Sequence, residues 1–181
     1  MQEILKSIKH YVDKYERLPC PAPPTAKISA ASFGIENCSS ADIIESPDVS
    51  NKVKMGAVPI STLNLFPTLA LDGYGNRITY IVRENATATA GINSTDIDLE
   101  VTNYAGGSLY SDVVVILISH GENGYGAWNG ASGVRLAVSG TDQEQKNTDP
   151  DTAFYISAPV ARYDDIVYFR TKTQLTDEDF E

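Results

Sequence analysis

Val113 to Ile118 is an unbroken run of six aliphatic residues between Asp112 and Ser119. A half-wet strand alternates apolar and polar residues, and this run does not. It predicts a strand buried on both faces, at the centre of a sheet. Other strands are expected around it. Ile78 to Val82 is β-branched and aromatic, and it follows the tight-turn residues Asp72-Gly73-Tyr74-Gly75-Asn76-Arg77. Ile97, Leu99 and Val101 alternate with Asp96, Asp98 and Glu100, the pattern of a strand with one wet side and of a hairpin partner. Thr152 to Ile156 and Ile166 to Phe169 predict two more strands.

Helical patterning is confined to the other end. Ile4, Leu5, Ile8, Tyr11, Val12 and Tyr15 share one face of a helix over Gln2–Arg17, with Lys6, Lys9, Asp13, Lys14 and Glu16 opposite. Pro19 stops it, and Pro21, Pro23 and Pro24 keep the chain extended. Helix at one end and strands at the other predict an α+β domain, with the amphipathic helix packed across an antiparallel sheet. The expected organisation is a single domain over 1–181: helix 1–17, loop 18–55, sheet region 56–175 and a loose acidic tail 176–181. The helix starts without a cap, and it reads as the head-proximal part of a longer stem. Sixteen residues span about 24 Å, enough to cross a small sheet.

The net charge of −10 opposes direct contact with nucleic acid or anionic lipid. No apolar run reaches the ~18 residues of a membrane span. Cys20 and Cys38 are the two cysteines, in a Pro- and Ser-rich stretch. An even pair there suits a disulfide in an oxidising compartment, and the alternative is two unrelated thiols. With no C-x-x-C and with His10 and His120 far along the chain, a cysteine metal site is not expected.

Catalytic signals are sparse. Ser119 and His120 are adjacent at a strand end, where neighbours point to opposite faces, and no G-x-S-x-G elbow exists. The Gly-rich loop from His120 to Gly133 lacks Gly-Lys-Ser/Thr and a following helix, so it does not predict a phosphate cradle. No enzyme is expected. Asp149, Asp151, Asp164 and Asp165 flank one short strand and would supply hard oxygen donors for calcium, the alternative being a solvated acidic rim.

Five patches, in order, carry a resemblance. They are Arg17-Leu18-Pro19-Cys20-Pro21-Ala22 after the helix; Gly56-Ala57-Val58-Pro59 with Thr62-Leu63-Asn64-Leu65; Asp72 to Tyr80, close to an Asp-x-Trp-Gly-Asn segment; Ser119 to Gly124; and Asp164-Asp165-Ile166-Val167-Tyr168. Together the chain resembles bacterial prepilin-type proteins, the type IV pilins and the pseudopilins of type II secretion. The resemblance implies a ladle-shaped, exported, non-catalytic filament subunit at the periplasmic face of the inner membrane or in a surface fibre. Assembly would run through the N-terminal helix, with a leader and a membrane segment ahead of Met1 as the only membrane contact. Partners would be other pilin-like subunits and their assembly machinery. The calcium loop of major pseudopilins extends the possibility of calcium to this chain. The alternative is an exported surface binding or adhesion module without catalytic activity.

Overall fold

A computed structural model describes residues 1–47, 51–103, 105–138, 142–158, 160 and 163–177, with side chains omitted at 142 and 143. Helix α1 covers Gln2–Tyr15 and turns Ile4, Leu5, Ile8, Tyr11 and Val12 into the core. Glu16 ends it in the left-handed region, at φ 53°, and its N–H donates to the Val12 carbonyl at 2.8 Å. The chain then crosses the extended Pro-rich segment and the loop closed by the Cys20–Cys38 disulfide.

Among the described residues seven strands form one sheet: β1 (Ile44–Glu45), β2 (Val53–Ala57), β3 (Thr79–Arg83), β4 (Leu99–Thr102), β5 (Ser108–Ser119), β6 (Ala153–Tyr155) and β7 (Ile166–Thr171). The twelve residues of β5 organise it. β3 pairs with β5 at Ile116–Ile118, β4 pairs with it further along at Ser108–Val113, and β7 pairs with Val113–Ser119. Where β3 gives way to β4, Arg83 Nε donates to the Asp98 carbonyl at 2.8 Å. β2 extends the sheet beyond β3, with β1 outside it, and β6 extends it beyond β4.

All six residues from Val113 to Ile118 are fully buried, as a strand covered on both faces must be. One face carries Val115 and Leu117 beside Tyr80 and Val82 under α1; the other carries Ile116 and Ile118 beside Met55, Ile81, Trp128 and Phe154. The alternation slips at Val114, which faces α1 together with Val115, while Val113 lies on the opposite side. The register with β7 shifts between Val113 and Val115, and the extra residue of that irregularity moves Val114 across.

The expected class, a pilin-like α+β ladle with a helix across an antiparallel sheet, does not hold. The fold is mostly strand, its sheet curls into a half-barrel, and β6 runs parallel to β4. Among the described residues α1 is the single long helix; α2 (Glu84–Thr87), α3 (Asp142–Gln145) and α4 (Lys172–Thr176) are each about one turn. The physical reason lies in β5. It is long enough to hold β3 and β4 end to end on one edge, and register shifts in its pairing with β4 and β7 bend the sheet. The sheet itself begins at β1 and β2, inside the segment expected to be loop. Of the acidic tail 176–181, Thr176 closes α4 and Asp177 follows it, and 178–181 lie outside the described residues.

Candidate functional site

β5 delivers Ser119 and His120 to one end of the sheet. A tight turn follows, with Gly121 and Gly124 at φ 58° and 64° and the Gly124 N–H donating to the His120 carbonyl at 3.0 Å. The adjacent pair diverges, as strand geometry requires. Ser119 Oγ donates to Asp72 Oδ2 at 2.8 Å, whereas His120 Nε2 lies 2.9 Å from Thr79 Oγ1. His120 Nδ1 lies 3.6 Å from Asp165 Oδ1.

Thr79, His120 and Asp165 thus stand in the order hydroxyl, imidazole, carboxylate, a series used in nucleophilic catalysis. They are 0%, 1% and 3% exposed, so the series is sealed from solvent in this conformation. What it does here is tie β3, the end of β5 and the approach to β7 together.

A layer of carboxylates surrounds this pair. Asn147 Nδ2 donates to Asp165 Oδ2 at 2.9 Å and to the Tyr155 carbonyl at 3.0 Å, and Asn147 Oδ1 accepts the Tyr155 N–H at 2.8 Å. Asn123 Nδ2 donates to Glu144 Oε1 and to Asp164 Oδ1, both at 2.7 Å, and the Asn123 N–H donates to Asp164 Oδ2 at 3.0 Å. One carboxylate oxygen from each of Glu144, Asp164 and Asp165 lies within 4.8 Å of the others. Glu144 is 2% exposed. Tyr163 closes the layer, donating its hydroxyl to the Tyr155 carbonyl at 2.7 Å; burial, with the Asp165 carboxylate nearby, pushes its phenol well up.

Of the four acids expected to gather, Asp164 and Asp165 do. Asp149 and Asp151 do not: both are exposed and line a separate cleft with Ile44, Glu45 and Pro47. Glu144 and Asn123 take their place beside Asp164. Sequence distance hid Glu144, because α3 reaches the turn after β5 only once the chain has folded back. The one local hint was Asn123-Gly124, a turn pair that aims a side chain.

A second polar cluster holds the stapled loop. Arg17 Nη1 and Nη2 donate to Glu36 Oε2 and Oε1, and Tyr11 Oη and the Cys20 N–H donate to the same carboxylate. Burial pushes the Glu36 carboxyl up, but the Arg17, Cys20 and Tyr11 hydrogen bonds outweigh it and hold the group below its ordinary value. The Cys20–Cys38 disulfide is in place, and Cys20 is fully buried. Of the expected helix face, Ile4, Leu5, Ile8, Tyr11 and Val12 sit in the core; Tyr15 is 47% exposed and stacks on Tyr11, ring centres 4.5 Å apart.

No family model, curated protein or solved structure matches this chain. Among the described residues no helix is long and apolar enough to cross a membrane.

Proposed function

We propose that this chain is the head of an exported filament subunit of prepilin type, assembling through its N-terminal helix into a pilus or secretion pseudopilus. The observation that carries the reading is the attachment of α1. Its apolar face is core from Ile4 to Val12, and its end is tied through Arg17 and Tyr11 to Glu36 in the stapled loop. Helix and head therefore form one mechanical piece, as a subunit loaded through its helix requires. The disulfide supports an oxidising compartment and hence export. The five ordered sequence patches supply the class. Because the apolar face is already used inside the head, subunit contacts would fall on the opposite face of α1, at Glu3, Lys6, His10 and Asp13, all exposed.

The test is photo-crosslinking in the native host, with the probe placed at Lys6 and at His10 in the full gene product, followed by shearing of surface fibres. The expected result is a ladder of crosslinked subunits in the membrane and fibre fractions. Recovery of the chain solely as an uncrosslinked soluble exported monomer would overturn the reading in favour of a surface binding module.

A further inference from the structure

β5 outruns the strand beside it. One of its edges carries β3 and then β4. The other carries β7, whose pairing ends where Thr171 meets Val113. There the chain leaves the sheet. Thr171 Oγ1 accepts the Gln174 N–H, and the Gln174 side chain accepts the Thr171 N–H at 3.0 Å, so the two residues cap α4 reciprocally. α4 packs on α1, with Leu175 buried in the core. The cap thus stops β7 and turns the chain out of the sheet.

Beyond that point Ser108 to Asp112 of β5 keep one edge with no partner strand among the described residues. All five residues are exposed, whereas the rest of the strand is buried. A row of unpaired backbone N–H and C=O groups is a template for another strand, and proteins commonly guard such edges with Lys or Pro. Ser108-Leu109-Tyr110-Ser111-Asp112 contains neither. Leu109 and Tyr110 are instead large side chains, each 48% exposed. The Tyr110 ring leans on Phe169 of β7, centres 4.7 Å apart.

From this we infer that Ser108–Asp112 is a strand-pairing surface, taken by the same segment of a second copy of this chain, the two β5 strands running antiparallel about a two-fold axis at Tyr110. The edge dictates the kind of occupant, because an extended backbone meets such a row of donors and acceptors, and an antiparallel one continues the direction of β7. A second copy fits better than a loose peptide. Its segment is already extended in a sheet, so pairing costs little ordering entropy. Centred on Tyr110, all five residues pair: Leu109 faces Ser111 of the other copy, and Asp112 faces Ser108. The one charge in the segment therefore does not meet its like. The same axis sets the two exposed Tyr110 side chains beside each other. A five-residue pairing is small, and each copy carries a net charge of −10, so the dimer is weak and strengthens as salt screens the repulsion. The contact lies on the sheet edge, apart from the α1 face through which the filament reading runs, and it does not depend on that reading.

The experiment is sedimentation velocity of the purified, oxidised full chain at rising concentration up to ~1 mM, at low and at high salt. The expected result is a reversible monomer–dimer equilibrium that tightens with salt. Two substitutions at the exposed Ser108 read the register at low salt. S108K sets a lysine against Asp112 of the other copy, twice per dimer, and should tighten the dimer by about threefold or more; S108D sets like charges there and should loosen it by as much. Melting transitions show each variant folded. Hydrogen exchange of the wild type should slow with concentration in the Ser108–Asp112 segment. A wild-type chain that stays monomeric throughout would overturn the proposal whatever the variants do. So would a dimer that S108K and S108D leave unchanged, since its contact would then lie elsewhere.

Discussion

Arg17 and Glu36 are joined by two parallel hydrogen bonds of 2.9 Å each, Nη1 to Oε2 and Nη2 to Oε1. The fork closes the end of α1 onto the middle of the stapled loop. Two planar groups matched this way give direction as well as energy, which a lysine at 17 would not reproduce.

This pairing sets a pH dependence. Glu36 is held below its ordinary value, so its stabilisation is present above the unfolded carboxylate value of about 4.3 and is lost as pH falls through the folded value. E36Q is expected to cost on the order of 2 kcal/mol at pH 7, with the gap to wild type closing below about pH 4. Thermal melting of both proteins from pH 7 to 3 measures it. Glu45, also held down chiefly by its Lys52 hydrogen bond, contributes to the acid loss that remains in E36Q.

The disulfide bridges residues 18 apart in sequence. Restricting the unfolded chain over such a loop is worth about 3 kcal/mol, so C20S/C38S should melt well below wild type. A denaturing thiol assay should find no free thiol before reduction and two afterwards. Two free thiols in protein recovered from an oxidising compartment would contradict the staple.

Ile8 and Tyr15 lie two turns apart on the same helix face with opposite fates. Ile8 is 0% exposed and Tyr15 47%. Ile8→Ala should cost about 2–5 kcal/mol by leaving a cavity under α1. Tyr15→Ala should change stability by less than about 1 kcal/mol, since its stack on Tyr11 sits at the surface. Chemical denaturation of both variants separates them.

Gly121 has a positive φ of 58°, and a Cβ there would fall inside the Asp164 carboxylate and against its carbonyl. Gly121→Ala is therefore doubly penalised, and a loss of about 1–3 kcal/mol is expected. Gly73→Ala, where a Cβ meets nothing within 4 Å, is the control, and thermal melting of both variants measures the difference.

Much of this was legible locally. The run from Val113 to Ile118 fixed the central strand because six aliphatics in a row have no wet side to offer. The spacing from Ile4 to Val12 fixed which helix face enters the core, because a 3.6-residue period is a property of neighbours. Asp72 to Asn76 fixed a turn, since Asp72 Oδ1 accepts from the N–H of Tyr74 and of Asn76 within the same short stretch. Cys20 and Cys38 were near enough in sequence to be paired by context.

What only the tertiary structure decided depends on distant segments meeting. The face of Val114, the curl of the sheet and the parallel pairing of β6 with β4 follow from register, and register is set by strands that share no local pattern. The same holds for the acidic site. Asp164 and Asp165 could be proposed from position, but Asp149 and Asp151 lie closer to them in sequence than Glu144 does and end in another cleft. Glu144 is chosen over them because the chain between β5 and β7 folds back, setting α3 against the Asn123 turn. Periodicity and turn chemistry act over a few residues, and so the sequence alone determined the central strand and the helix face from Ile4 to Val12, while β1 and β2 were hidden in a stretch without a strand pattern. Which carboxylates meet at the end of β5 was determined by the closure of the fold.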